Sequence, residues 1–190
     1  MKACFMGLGY IGLPTAIVAA DNGIEVIGVD INPHVVETIN KGKIHIVEPG
    51  LEELCSRVIG KGALKAQTEA KESDVYLIVV PTPFTGDHQP DISYVESATR
   101  SVIPFLKEGD LYIIESTSPV GTTEKMATLI FTERPELKDK IYIAYCPERV
   151  LPGNVIYELV HNDRVIGGIN ETSTDRAIAF YNQFVKGELH

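Results

Sequence analysis

The sequence predicts an α/β fold: a doubly wound, mainly parallel sheet with helices on both faces. Three observations carry that expectation. Short apolar runs rich in β-branched residues alternate with helix-like segments along the chain, the pattern that builds parallel sheets through crossover helices. The runs are apolar throughout, with little in-out alternation, as strands covered on two faces are. The first run leads at once into a glycine-rich turn, Gly7-Leu8-Gly9-Tyr10-Ile11-Gly12, that opens a helix.

Taken in order, Ala3 to Met6 reads as the first strand, and Ile11 to Ala20 begins a helix of small residues. Val26 to Val29 is the next strand. Asn32-Pro33 opens a helix, because asparagine caps orphan amides and proline suits the first helical turn. Pro49 to Ile59 continues as helix, and Val75 to Val80 returns to the sheet. Ile92 to Leu106 reads as helix, Leu111 to Ile114 as strand, Thr122 to Phe131 as helix and Ile141 to Ala144 as strand. Val165 to Ile166 is a short last strand before a helix from Thr174 to Val185. No Ser/Gly-rich linker, repeat or low-complexity tract divides residues 1–190, so one domain is expected. The final helix pattern runs into Lys186-Gly187-Glu188, where the alternation next calls for a strand, so the sequence reads as one domain of a longer protein.

Composition narrows the function. With 190 residues, 44% hydrophobic and 23% charged, the chain matches a soluble globular domain with a real core. A formal net charge of -9 argues against a nucleic-acid surface, which needs a basic stripe. No apolar run approaches the roughly 20 residues that span a bilayer, and no signal-peptide cleavage pattern opens the chain. A cytoplasmic location without membrane partners is therefore expected. Cys4, Cys55 and Cys146 are odd in number and lack metal-ligand spacing, and the histidines are scattered; free thiols and no metal are expected.

The glycine turn has the spacing and context of a dinucleotide fingerprint. Gly7 permits the tight turn, Gly9 lets backbone approach a pyrophosphate, and Gly12 lets helix pack on strand, with the helix amino end facing phosphates. The bland alternative is a turn that binds nothing. Asp30, at the end of the second strand in "EVIGVDIN", weighs against it, because the fingerprint expects an acid about 20 residues on. Such a carboxylate accepts the adenosine ribose hydroxyls and repels a 2′-phosphate, so the expected cofactor is NAD, not NADP. Asp30 could instead cap the helix at Pro33, although Asn32 is better placed.

Further candidates stand at strand ends, where open α/β sheets bind ligands. Val80-Pro81-Thr82-Pro83 and Glu115-Ser116-Thr117-Ser118-Pro119-Val120-Gly121 are two of them. The hydroxyls of Ser116, Thr117 and Thr123 suit ribose and phosphate oxygens or plain helix capping, and both readings stay open. Asp87-His88 and Asp91 in "TGDHQPD" could suggest a cation, but an exposed turn with an Asp cap is favoured. "YCPERVLPGN", from Tyr145 to Asn154, brings Glu148 and Arg149 beside the nicotinamide end of a bound dinucleotide. The alternative there is an ion pair, Glu148 to Arg164 or one made by Arg149, that only pins a loop.

Together "GLGYIGLP", "GVDIN", "IHIVEPGL", "VPTPF.GDH.PD", "YVESA", "ESTSPVGTTEKMA" and "CPERVLPGN...ELV.NDRVIGG" resemble the UDP-glucose/GDP-mannose dehydrogenase family over essentially the whole chain. The pattern is most similar to the branch acting on UDP-N-acetyl-D-mannosamine. The resemblance implies a Rossmann-like NAD domain, followed in the family by a central helical dimerisation region and a UDP-binding domain. It implies NAD as cofactor, a UDP-sugar as substrate and a homodimer or higher homo-oligomer for the full-length enzyme. The family oxidises the sugar C6 alcohol twice, through an aldehyde and an enzyme-bound thioester, to a uronic acid used in surface polysaccharide.

By matching positions, the resemblance implies that Tyr10, Ile11, Asp30, Thr82 and Thr123 contact NAD. Thr117 would help place the catalytic water and Glu148 would act as base or water-orienting group. Arg149 and Val150 would line the sugar site. The family's thiolate, lysine and asparagine lie beyond its amino-terminal domain. Here no Gly-Gly-His-Cys segment occurs, since Gly167-Gly168 is followed by Ile169. Cys146 does not match the catalytic cysteine and reads as structural, and this chain alone is expected to be inactive. Some UDP-glucose members carry a second acid four residues after the glutamate; Pro152 stands there, which favours the mannosamine branch. Competing readings are another UDP-sugar dehydrogenase such as the UDP-glucose enzyme, a short β-hydroxyacid dehydrogenase, and a stand-alone NAD-binding module.

Overall fold

A computed structural model describes residues 1–86 and 88–190. In chain order the elements are β1 (Lys2–Met6), α1 (Gly12–Asp21), β2 (Glu25–Val29), α2 (Pro33–Asn40), α3 (Leu51–Gly60), β3 (Leu64–Gln67) and β4 (Val75–Ile78). Then follow α4 (Ser93–Val102), β5 (Leu111–Ile114), α5 (Thr122–Glu133), β6 (Tyr142–Tyr145), α6 (Val155–His161), β7 (Gly167–Gly168) and α7 (Glu171–Tyr181). The seven strands lie in the order β3-β2-β1-β4-β5-β6-β7. They run parallel as far as β6, and β7 pairs antiparallel to it. This is the doubly wound, Rossmann-like arrangement, and β1 beside β4 is its switch point.

The uniformly apolar runs have a direct cause. Ala3, Phe5, Leu77 and Ile113 enter the core on one face, while Cys4, Met6, Ile78 and Ile114 from the same strands enter the other. Helices α1, α3, α6 and α7 cover the first core with Ile17, Val58, Leu159 and Phe180. Helices α4 and α5 cover the second with Val95, Val102, Met126 and Ile130. In α1, Gly12 through Ala20 are all buried, which explains its small residues. Asn32 caps α2 by accepting from the His34 amide at 3.0 Å, with Pro33 in the first turn.

Several boundaries differ from expectation for identifiable reasons. The edge strand β3 has alternating burial, with Lys65 exposed, so its run is not uniformly apolar. The helix expected over Ile92 to Leu106 ends at Val102 and tightens into a 3-10 turn, Ile103–Phe105, where Pro104 cannot donate to an α-helical ladder. The short α6 was not foreseen. At the last strand, the ladder to β6 uses Gly167 and Gly168, two residues beyond the expected run. Ile166 instead donates its amide to the His190 carbonyl at 2.8 Å. Gly168 is required there, because a Cβ would lie 2.4 Å from the Thr174 nitrogen.

Candidate cofactor cleft and buried charge cluster

The three fingerprint glycines divide into two kinds. Gly7 sits at φ +102°, and a Cβ there would meet the Val79 carbonyl oxygen at 2.3 Å. A Cβ on Gly12 would lie 2.0 Å from the Gly7 oxygen, so both serve the closeness of α1, β1 and β4. A Cβ on Gly9 would meet no described atom within 4 Å. Gly9 thus keeps open space at the cleft, as backbone approach by a phosphate group requires.

Asp30 follows β2 and is half-buried. Its Oδ2 accepts from the Leu8 amide at 3.1 Å and its Oδ1 from the Asn32 amide at 2.9 Å. It does not cap α2, which Asn32 does. Two backbone donors orient the carboxylate while further lone pairs remain, since an ionised carboxylate has about four acceptor sites.

A cleft of about 780 Å3 opens at the carboxyl edge across the switch point. It brings together Gly7, Gly9, Tyr10, Ile11, Asp30, Thr82, Thr117 and Glu148. Its walls include Val29, Val80, Ala98 and Phe105, an apolar lining with few polar groups that suits a small-molecule site. Thr82 Oγ1 donates to the Thr117 carbonyl at 2.6 Å, joining the two strand-end loops. Ser116 is committed to the protein: its hydroxyl accepts from the Val80 amide at 2.9 Å and donates to the Val80 carbonyl at 2.7 Å. The glycine turn, the oriented acid and this cleft fit a dinucleotide such as NAD.

Not every expected residue faces the cleft. Gly12 is buried under it as packing. Thr123 lines a separate cavity of about 280 Å3 with Val120, Tyr145 and Gly168. Arg149 is exposed, and Val150 packs against the α1-side core. In the "TGDHQPD" segment, Asp91 Oδ1 accepts from the Ser93 amide at 2.9 Å at the start of α4, the capping role. Asp87 lies outside the described residues.

Glu148 forms the ion pair weighed as an alternative and also lines the cleft. Its Oε2 lies 2.6 Å from Arg164 Nη2, with the two side chains 5% and 3% exposed. Its Oε1 accepts from the Arg149 amide at 2.7 Å. Arg164 Nη1 reaches Glu115 Oε1 at 3.2 Å, and the Tyr181 hydroxyl donates to the same oxygen at 3.1 Å. The guanidinium also stacks 4.8 Å from the Tyr181 ring centroid. Burial pushes the Glu115 carboxyl up to about 7, with Arg164 opposing and Glu148 adding to the rise.

Cys146 is fully buried, and burial pushes its thiol up to about 11. It is a protonated, enclosed thiol at neutral pH and not a nucleophile, since the thiolate is the reactive form.

Sequence reasoning gave no role to Glu115, Tyr181 or Glu48. The first two converge on Arg164 from far along the chain, and no spacing announces it. A fully apolar strand that ends in glutamate was the available signal for Glu115. Glu48 is 6% exposed and accepts from the Tyr10 hydroxyl at 2.8 Å, the Gly153 amide at 3.0 Å and the Val155 amide at 2.8 Å. Burial alone would raise its pKa, but these donors together hold its carboxyl below the ordinary range. It thereby ties the glycine turn to the loop after Glu148 and supplies the start of α6.

Among the described residues, no helix is long and apolar enough to cross a membrane. Comparison with known proteins is specific. The UDP-N-acetyl-D-mannosamine dehydrogenase of Campylobacter jejuni is 54% identical over 196 residues, covering 98% of this chain and 48% of that protein. The NDP-N-acetyl-D-galactosaminuronic acid dehydrogenase of Ralstonia nicotianae is 52% identical over 190 residues, covering 96% of this chain and 45% of that one. The solved UDP-N-acetyl-mannosamine dehydrogenase of Staphylococcus aureus superposes with a TM-score of 0.95 at 43% identity, over 100% of this chain and 47% of its own. The chain spans about half the length of the curated relatives it matches. Residues 1–185 match the model of the UDP-glucose/GDP-mannose dehydrogenase family, NAD binding domain. With its glycine turn, Asp30 and switch-point cleft in place, the chain belongs to that family, as its NAD binding domain.

Proposed function

We propose that this chain is the cofactor-binding half of a UDP-N-acetyl-D-mannosamine 6-dehydrogenase, which oxidises the sugar C6 alcohol to a carboxylate in two NAD-dependent steps. One observation carries the reading: Asp30 and the glycine turn share a single cleft with Glu148 and Thr117, in a chain 54% identical to enzymes of that name. NAD, when bound, supplies the hydride acceptor. Tyr10, Ile11, Asp30, Thr82 and Thr123 hold it. Asp30 accepts from the ribose hydroxyls, and its charge disfavours a 2′-phosphate.

Glu148 serves as base or water-orienting group at the reacting carbon, Thr117 helps place the water, and Arg149 and Val150 border the sugar. The last two, with Thr123, extend the site past the cleft itself. Buried Cys146 offers no thiolate; in this reading the nucleophilic thiol, the lysine and the asparagine that the family resemblance implies come from residues outside this sequence. The full enzyme is then a cytoplasmic homo-oligomer making a uronic acid for surface polysaccharide, and this chain alone does not turn over. The relative at 52% identity favours a second reading, the same chemistry on an N-acetylgalactosamine nucleotide.

Calorimetric titration tests the first step. NAD binds the chain, and Asp30→Ala weakens it by at least about tenfold, the loss of one charge-assisted hydrogen bond. An unchanged dissociation constant refutes the assignment of Asp30. Mixed with NAD and either nucleotide sugar, the chain produces no NADH; steady production refutes the claim that essential groups are missing. A longer protein containing this chain, assayed on both sugars, separates the two substrates.

A further inference from the structure

Five side chains remote in sequence close on one buried spot at the wall of the cleft, which both Glu115 and Glu148 line. Glu115 follows β5, Cys146 and Glu148 follow β6, Arg164 lies between α6 and β7, and Tyr181 ends α7. Their charges do not balance, because two carboxylates face one guanidinium. Glu115 Oε2, Glu148 Oε2 and Arg164 Nε are buried without a hydrogen-bond partner among the described residues. Glu148 Oε2 is nonetheless 2.6 Å from Arg164 Nη2, so that contact is close but poorly aligned.

A second buried anion is expensive in a low-dielectric site, and uptake of one proton removes the excess charge. Glu115 is the natural acceptor of that proton. Its side chain is 0% exposed, against 5% for Glu148. Burial has already raised its carboxyl to about 7. The other titratable neighbours, Cys146 and Tyr181, are held neutral by the same burial.

We propose that Glu115 is a positioning residue for Glu148: the two carboxylates compete for Arg164, and the proton on Glu115 decides how firmly Arg164 holds Glu148 at the cleft wall. With Glu115 protonated, the guanidinium belongs to Glu148 and holds it in place. With Glu115 ionised, Arg164 is shared and Glu148 is released toward the cleft. The consequence for catalysis rests on the proposed role of Glu148; the coupling of the three groups does not.

The test is a difference-infrared titration of the 190-residue chain. A buried carboxylic C=O band should disappear as pH rises through about 7, and E115Q should lack it. In E148Q, Arg164 faces one carboxylate, and the midpoint of the Glu115 band should fall by about one unit or more, a roughly tenfold change in proton affinity. A merely structural cluster with no competition leaves that midpoint in place. An unmoved midpoint in E148Q, or a band that survives in E115Q, overturns the proposal. Should E148Q fail to fold, E148D withdraws the carboxylate by one methylene, and the midpoint should move the same way; no movement overturns the proposal. NAD calorimetry on the same wild-type sample separates the two claims. Coupled titration without NAD binding sinks the dehydrogenase reading alone, and NAD binding with uncoupled titration sinks this proposal alone.

Discussion

The two sides of the switch point build their share of the cleft by opposite means. On the β1–β2 side the parts are backbone and near neighbours in sequence, Gly7 to Gly12 and Asp30, and they work by shape and oriented amides. On the β5–β6 side the parts are side chains drawn from Glu115, Glu148, Arg164 and Tyr181, and they work by charge in an enclosed space. The second side carries a buried carboxyl that burial raises to about 7.

The sharpest way to break this contrast is Arg164→Met. It strands two buried carboxylates and should cost about 3 to 5 kcal/mol in urea unfolding; a loss below about 1 kcal/mol, the range of exposed pairs, would mean that charge does not hold this side. On the shape side, Gly12→Ala forces a Cβ against the Gly7 oxygen and should destabilise by about 1 to 3 kcal/mol, as overpacking does. Gly9→Ala, facing open space, should leave the melting temperature unchanged and still weaken NAD by at least about tenfold. Equal melting of the two alanine variants would erase the distinction between packing and approach.

A smaller effect concerns pH. Glu115 has a folded pKa near 7, raised from 4.5, so between those values the folded state binds more protons than the unfolded one. Its contribution to stability is full below about 4.5 and declines until about 7. Urea midpoints of wild type and E115Q across this window should differ in slope, with the variant flatter. Parallel slopes would place the titration elsewhere.

The same contrast explains what was legible in the sequence. A fingerprint is local, so Gly7, Gly9, Gly12 and Asp30 could be picked out, and the structure sets Gly7, Gly9 and Asp30 at one cleft with Gly12 packed against the turn. The central strands were legible because both faces are buried, while edge strand β3 was not, because Lys65 interrupts it. Helix α6 escaped because its amino end is held by Glu48, 107 residues upstream of Val155. Glu115 escaped because its partners Arg164 and Tyr181 stand 49 and 66 residues away. Glu148 was weighed as either a cleft residue or half of an ion pair with Arg164, and it is both. Spacing can pose such alternatives, but only the fold shows that one residue both lines the cleft and pairs with Arg164.

Glu48 also links two places on the molecule. One carboxylate grips Tyr10 on the cofactor turn and the amides of Gly153 and Val155 on the loop beyond Glu148. A ligand that immobilises Tyr10 therefore reduces the freedom left to the distant loop, and a ligand that settles that loop does the same for Tyr10. Such coupling is reciprocal by thermodynamic necessity. The affinity at each place then depends on occupancy of the other through a single side chain.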